Sequence, residues 1–473
     1  MSIIFSTDSY KISHPQQFPK GTTHTQYYIE ARGGAIDKIT VAGVNKFITT
    51  LEKGITLEDV ERANRLFKLH FGSDIFHYEG WKKLAQRFAE GKGLPLKVYA
   101  VPEGTRVPVK SAVLLIENTE PEFYWLPGHC ETASLRDIWY MSTVATHSSE
   151  FKKEARIALE ATSDLAGDEF DMVLNTRLHD FGARGATSGE SAAAGGLAHL
   201  YNFIGTDTVE ALILAQDLYQ AECAGISIPA REHSTTTSYG LNQEGLREAY
   251  LNSVDLFGKG MYAIVYDSQD FERDIADIET YKDKIIEQGG TLVARPDSGD
   301  MLSNIEYALQ KFGEIFGYTV NSKGFKVLPS CIRLIQGDSI DKPEDIRAVY
   351  DYICFTCGWS AENIAFGAGG GLLQKVNRDT YKWAMKCCAI RVNGEWREVY
   401  KSPKGSEWKT SKKGYLLPMV HTVTGMHEDI NLLSDDHVKY ILDLDWKMAA
   451  ELYYDEGRVR SDTLPEIRSR AAV

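Results

Sequence analysis

Two stretches decide the fold: YAIVYDS at residues 262–268 and TLVARPDSG at residues 291–299. Each is a short apolar run containing β-branched or aromatic residues, and each breaks into an acid and small polar residues, as a strand does where it meets a turn. Helical sequence separates the two. The same texture begins at about Met172 and recurs in MVLNTRLHDFG, YNFIGTDT, ISIPAREHS, IRLIQGDS and IAFGAGGG. With Asp180, Asp207, His233, Asp267, Asp297, Asp338 and Gly369 as markers, successive runs are 27, 26, 34, 30, 41 and 31 residues apart. Each interval fits one β-α unit of about 30 residues.

Seven such units can wind into an open parallel sheet or close into a barrel. An open sheet gathers only its switch-point turns at a ligand, whereas a barrel directs every strand's C-terminal end to one mouth. All seven run-ends here carry polar or glycine residues. The reading is therefore α/β, with an irregular seven-unit (β/α) barrel over residues 171–380.

The flanks read differently. Residues 57–91 carry helical periodicity (Val60, Leu66, Phe67, Trp81, Leu84, Phe88), and the segment from Leu94 alternates apolar and polar residues around a turn at Pro102–Gly104. A second helix is expected from about Leu135 to Leu159. After Gly371 strands return, with Asn393-Gly394 as a two-residue hairpin turn. Residues 1–170 and 381–473 are thus expected to build a second, α+β domain from the two ends of the chain.

Composition narrows the partners. A chain of 473 residues, 43% hydrophobic, can bury the cores of two or three domains. Its charge, 52 basic against 66 acidic residues or −14, argues against general affinity for nucleic acid or an anionic membrane, while leaving room for a local phosphate pocket. No basic leader or long apolar run is present, so a cytoplasmic location is expected. Seven cysteines, an odd number, read as free thiols. Cys354 and Cys357 form a lone C-x-x-C, expected to be two buried thiols on one helix face.

The run-ends carry the chemistry. AFGAGGGLLQKVNRD (365–379) lacks the dinucleotide G-x-G-x-x-G spacing, because Leu372 stands at the third glycine, and it lacks the P-loop G-K-[ST]. What remains is a run of unobstructed backbone N–H groups followed by Lys375 and Arg378, which suits a monophosphate; a glycine-rich turn for close packing is the plainer alternative. In RPDSGD, Arg295 can clamp phosphate oxygens, and Asp297 can accept from ribose hydroxyls or support Mg²⁺. Gly337 and Asp338 in QGDS offer close backbone approach and hydroxyl recognition. In HDFGARG, Phe181 can stack on a planar ring beside Arg184, although core packing is the ordinary role of such a ring. Thr187 and Glu190 satisfy a T-x-x-E capping box, which gives both a structural role. His233, in IPAREHSTTTSYG, is on its own an ordinary polar-turn histidine. Together these groups call for a phosphate, a ribose, a second anion and a flat ring.

HDFGARG, GTDTVEA, EHSTTTSYG, RPDSGD, IQGDS and AFGAGGGLLQKVNRD, in that order and with DSYKISH near the start, resemble the nicotinamide phosphoribosyltransferases, a branch of the type II phosphoribosyltransferases. The resemblance runs from about Asp8 to Lys413. It implies transfer of phosphoribosyl from phosphoribosyl pyrophosphate to nicotinamide in NAD salvage, stimulated by ATP through phosphorylation of His233, with Glu232 as an orienting group. It implies that Phe181 stacks on the pyridine and Tyr10 of a partner subunit covers the other face, so that a homodimer shares its sites. Asp207 would bind the carboxamide. Arg295, Asp297, Gly337, Asp338, Gly369, Gly370 and Arg378 would hold ribose and phosphate; Arg184, His233 and Arg295 would meet the pyrophosphate. Asp267 and Asp297 would support Mg²⁺, and Lys412 or Lys413, with Arg32, would add positive charge. Ala183 stands where bulkier residues occur in the family.

Three competing readings follow. A nicotinate-specific enzyme would differ in its pyridine, and Asp207 argues against it by repelling a carboxylate. A silent binding protein is disfavoured by the intact residue set. A phosphosugar aldolase or isomerase would want a lysine or an acid/base pair at a strand end, and no lysine occupies the seven turns before the glycine loop.

Overall fold

The computed structural model describes residues 2–296, 299–405, 409–437, 440 and 443–472. It comprises two compact units: Val144–Gln216 with Glu222–Val376, and the residues up to Thr143 with Asp217–Ala221 and Asn377–Ala472.

The first unit holds seven strands: β1 (Leu178–Asp180), β2 (Gly205–Thr206), β3 (Ala230–Arg231), β4 (Met261–Val265), β5 (Thr291–Arg295), β6 (Ile332–Gln336) and β7 (Ile364–Ala368). All pair in parallel, in the order β2-β1-β7-β6-β5-β4-β3. This is chain order taken around a ring, because Ala368 of the last strand pairs with Asp180 of the first. The seven-unit barrel expected from the run-ends is therefore present. Its seam lies between β2 and β3, where Ile226 bridges Gly205: the Thr206 N–H donates to the Ile226 carbonyl at 3.1 Å and the Ile226 N–H to that of Ile204 at 2.7 Å. The apolar run before β3 is mostly not strand. Pro229 lies within it, lacks an N–H and cannot continue a ladder.

Strands β4–β7 are five residues each and buried on both faces, which is why they read as continuous apolar runs. Paired residues in a parallel sheet share a face, so register separates the two sides. Ile264, Ala294, Leu334 and Phe366 face outward, where Phe366 packs edge-on against Tyr350 of the helix Pro343–Tyr350 at 5.2 Å. The inner face carries a separate cluster of Ala263, Val293 and Ile335, joined by Phe181, Ile228 and Ala365.

The second unit is built on a six-stranded antiparallel sheet, ordered Glu395–Glu398, Trp383–Val392, Thr22–Ala31, Ala112–Asn118, Leu96–Ala100, Glu451–Asp455. N- and C-terminal strands alternate in one sheet. Asn393 and Gly394 both have positive φ, 52° and 89°, as the tight hairpin turn they form requires. The helical stretch expected over 57–91 is two helices, Leu57–Phe71 and Tyr78–Ala89, the first opened by a Thr56/Asp59 capping box and ended by Gly72. The later helix spans Glu131–Thr162, longer at both ends than its periodicity indicated. A three-stranded sheet (Leu416–His421, His427–Asn431, Trp446–Met448) completes the unit.

Cys354 and Cys357 do not share a helix face in burial. Cys354 is buried in the π-helical turn Asp351–Thr356, but Cys357 lies just past its end and is half-buried; all seven thiols are free. Burial pushes the Cys354 thiol up to about 12, so it is inert at neutral pH. Among the described residues, no helix is long and apolar enough to cross a membrane.

Candidate active site

The C-terminal ends of parallel strands share one edge of their sheet, and in this barrel that edge collects most of the polar run-ends. At the end of β1, His179 pairs in register with Gly367 and so faces inward. Burial, aided by the charge of Arg177, lowers its pKa to about 4, which keeps the imidazole neutral. Phe181 follows, its N–H donating to the Ala368 carbonyl at 2.9 Å. Its ring fills the space where Gly367 lacks a side chain: a Cβ there would lie 2.1 Å from Phe181 Cε2. The aromatic residue thus belongs to the barrel interior, tilted against His179 at 6.1 Å.

The turn Ala183–Gly185 carries Arg184 into solvent, with Ala183 half-buried beside it. This turn lies against the glycine loop, since Cβ positions built on Gly182 and Gly185 would fall 2.8 Å from the Gly369 carbonyl and 3.1 Å from Gly370 Cα. Phe181, Arg184, Gly369 and Gly370 are therefore brought together. Thr187 and Glu190 do not form the expected capping box. The cap of α1 (Gly189–His199) is Ser188, whose hydroxyl accepts from the Ser191 N–H at 3.1 Å, while the Thr187 N–H goes to the Gln374 side chain. The box is displaced because Gln374 claims that N–H.

Asp207 ends β2, its N–H donating to the Asp180 carbonyl at 2.9 Å. Its side chain is exposed and accepts from the Ser227 hydroxyl. At the end of β3, His233 opens the short helix α2 (His233–Thr237). Its Nε2 lies 2.9 Å from Asp267 Oδ1 at the end of β4, and this carboxylate is buried while the imidazole is 43% exposed. Glu232 is not the group that orients the ring: its carboxylate accepts from Ser234, and Asp267 holds the imidazole.

Arg295 ends β5 half-buried, in register with Val265. Asp297 lies outside the described residues. After β6, Gly337 is half-buried and Asp338 exposed; the Gln336 amide donates to the Asp338 carbonyl at 2.9 Å and the Ser339 hydroxyl to its carboxylate at 2.8 Å. Lys375, after the glycine loop, is paired with Asp341.

The remaining predicted residues belong to the second unit. Tyr10 is 57% exposed on the turn Ser9–Gln16 and meets His14 edge-on. Arg378 is exposed and pairs with Asp379 at 3.2 Å. Arg32 Nε donates to the Lys382 carbonyl. Lys412 sits between Asp429 at 3.0 Å and Glu30 at 3.7 Å, and Lys413 pairs with Glu398 at 2.9 Å, so both charges already have carboxylate partners. Three metal-capable side chains come within 4.8 Å of one another, among the described residues, only at His421, Asp443 and Asp445, also in this unit.

Two inward or adjacent residues escaped the reading of the sequence, His179 and Asp180. Both lie inside the quoted HDFG, but only strand register shows which one faces the barrel interior.

The chain matches the model of the nicotinate phosphoribosyltransferase family over residues 176–441, and the model of the nicotinamide phosphoribosyltransferase N-terminal domain over residues 2–98. It is 40% identical to a nicotinamide phosphoribosyltransferase of Xanthomonas campestris pv. campestris, covering 99% of this chain and 98% of the relative. It is 31% identical to one from Acinetobacter baylyi, with 86% of each covered. Among solved structures, nicotinate-nucleotide pyrophosphorylase from Pyrococcus furiosus superposes with a TM-score of 0.62 at 14% identity, covering 99% of this chain and 94% of that one. Human nicotinic acid phosphoribosyltransferase gives 0.59 at 15%, covering 98% and 92%. At such identities the structural likeness establishes the fold.

Proposed function

The chain belongs to the nicotinate phosphoribosyltransferase family, and on that premise we propose that it transfers the phosphoribosyl group of phosphoribosyl pyrophosphate to nicotinamide, forming nicotinamide mononucleotide and pyrophosphate. The observation that carries this reading is that Phe181, whose ring belongs to the barrel interior, and Asp207 directly follow the last paired residues of adjacent strands, Asp180 and Thr206. A flat apolar platform and a carboxylate acceptor suit a pyridine carboxamide. The amide NH₂ can donate to Asp207, whereas the carboxylate of nicotinate would meet a like charge there.

In this reading the pyridine nitrogen attacks the anomeric carbon as the bond to pyrophosphate breaks, and charge develops at both ends of that exchange. The barrel's task is to hold the reactants in line and to stabilise the departing anion. Arg184 and Arg295 would serve the pyrophosphate, with the glycine loop, Gly337, Asp338 and Arg378 on ribose and phosphate. Tyr10 of the partner subunit would cover the pyridine in a homodimer. Asp267 would hold a Mg²⁺ as a single carboxylate ligand, a number this ion commonly takes beside phosphates and water, and the chemistry supplied would be neutralisation of the leaving group's charge.

The His233–Asp267 pair supports a role for ATP. Asp267 accepts from Nε2–H, which leaves the Nδ1 lone pair as the nucleophile. Nδ1 would attack the terminal phosphorus of ATP, forming a P–N bond as the P–O bond to ADP breaks, and water would later cleave the phosphoramidate to release phosphate.

The test measures mononucleotide formation from phosphoribosyl pyrophosphate with Mg²⁺ and either pyridine, with and without ATP, for the wild type and His233→Ala. Nicotinamide should be strongly preferred, and ATP should stimulate only the wild type. Equal stimulation of His233→Ala would remove the phosphohistidine, and preference for nicotinate would reassign the substrate.

A further inference from the structure

The carboxylate of Asp180 is wholly buried and takes no part in the chemistry proposed for the barrel mouth. Its two oxygens reach two different loops. Oδ1 accepts from the N–H of Gly182, the residue after Phe181, at 2.8 Å. Oδ2 accepts from the hydroxyl of Thr208, the residue after Asp207, at 2.7 Å. We propose that Asp180 is a positioning residue that sets the spacing between Phe181 and Asp207, and so shapes the pyridine subsite without touching substrate. The inference rests on the function proposed above and extends it to a residue outside the site.

The need for such a clip lies in the shortness of the strands. β1 has three residues and β2 two, and their ladder consists of two pairs, His179 with Gly205 and Asp180 with Thr206. Beyond it, a backbone bond from the Asp207 N–H to the Asp180 carbonyl at 2.9 Å joins the two strand ends. A carboxylate bonded to both loops adds side-chain anchors to this short ladder, and bonds to an ionised acceptor are shorter and stronger than neutral ones. Thr208 is itself fully buried and its N–H is held by the Thr206 hydroxyl at 3.0 Å, so the clip has a fixed anchor on the β2 side. Burial opposes the charge and Asp207 adds to that opposition, while the donors from Thr208, Gly182 and Thr206 sustain it. A buried carboxylate retained against that penalty is expected to be doing something packing alone would not require.

Asparagine can reproduce the clip: its amide oxygen takes the Gly182 N–H, and its NH₂ donates to a Thr208 hydroxyl turned to accept. Alanine cannot, and leaves both donors buried without partners.

The experiment is steady-state kinetics on the full chain, varying nicotinamide and phosphoribosyl pyrophosphate separately, for the wild type, Asp180→Asn, Asp180→Ala and Thr208→Val, with thermal unfolding of each. Asp180→Ala should raise the nicotinamide KM by about tenfold or more while the phosphoribosyl pyrophosphate KM stays within about twofold. Asp180→Asn should restore most of the affinity, and Thr208→Val, which removes one arm, should shift the same parameter by less. If both KM values rise together, or if a folded Asp180→Ala keeps the wild-type nicotinamide KM, Asp180 is structural only. Should Asp180→Ala fail to fold, an unchanged nicotinamide KM in Thr208→Val has the same meaning. A wild type that makes no mononucleotide from nicotinamide overturns the proposed function itself, and this inference with it.

Discussion

Gly367 shows how much of the site depends on one missing side chain. A Cβ at this position would lie 2.1 Å from the Phe181 ring, so even alanine must push the ring out of the barrel interior. Overpacking of this kind costs about 1–3 kcal/mol. Gly367→Ala should therefore lower the thermal midpoint, and it should raise the nicotinamide KM by about tenfold, since a displaced platform loses interactions worth ~1.4 kcal/mol or more. Unchanged affinity would show that Phe181 does not stack on substrate. The sequence marks Phe181 and His233 by the company they keep in HDFG and EHSTTTSYG, but it does not pair His233 with Asp267. The two lie 34 positions apart on different strands, whereas Glu232 stands next to the imidazole and is the obvious partner in one dimension. The parallel pairing of β3 with β4, not sequence proximity, makes the match.

At the scale of elements, the most informative contact joins the strand His427–Asn431 to the large sheet of its own unit. Lys412 lies between Asp429 on that strand and Glu30 on the strand Thr22–Ala31. Burial drives the Glu30 carboxyl up to about 7; Lys412 works against the rise and Asp429 with it. For Lys412, burial disfavours the charge, but the two carboxylates outweigh it and its pKa goes up. The folded state thus holds a proton on Glu30 that the unfolded chain gives up near its ordinary value of 4.5. The associated stability is fully present below pH 4.5 and is lost as pH rises through 7. Glu30→Gln should gain on the wild type across that window, by on the order of 3 kcal/mol at most, read as a widening gap between the two melting temperatures from pH 5 to pH 8. A gap that does not change with pH would show that Glu30 titrates normally. Element boundaries were legible where burial was two-sided, as in β4–β7. They were overdrawn at β2 and β3, where apolar residues such as Ile226 and Ile228 serve the seam and the inner cluster instead of a ladder. Neither residue is fully buried, Ile226 being 49% exposed, so an apolar run alone does not mark a strand here.

For the molecule as a whole, the texture of the sequence changes at about Met172, whereas the two compact units part at Thr143 and Val144, and the means by which the chain's ends are joined is not visible in the sequence. Asp462, buried, accepts from Arg460 at 2.9 Å, from Arg470 at 2.6 Å and from Tyr453, while Arg470 also donates to the Glu103 carbonyl at 2.7 Å. Arginines and acids scattered along a sequence give no sign of which will meet. Asp462→Ala would leave two guanidinium groups without their shared acceptor; they are 29% and 25% exposed and Arg460 also pairs with Glu451, so the cost should fall below the ~3–5 kcal/mol of a fully buried pair. Chemical denaturation should register that loss in the second unit; a midpoint within error of the wild type would show that the C-terminal helix Leu464–Ala471 is held by its apolar contacts alone.

The alternation of N- and C-terminal strands in one sheet also sets a timetable for synthesis. Thr22 pairs with Val392, 370 positions later (392 − 22), so one side of the strand Thr22–Ala31 has no neighbour until the ribosome has delivered nearly the entire intervening barrel. At about 5–20 residues per second that wait is roughly 20–70 s, during which an open β-edge must be kept from pairing with other nascent chains.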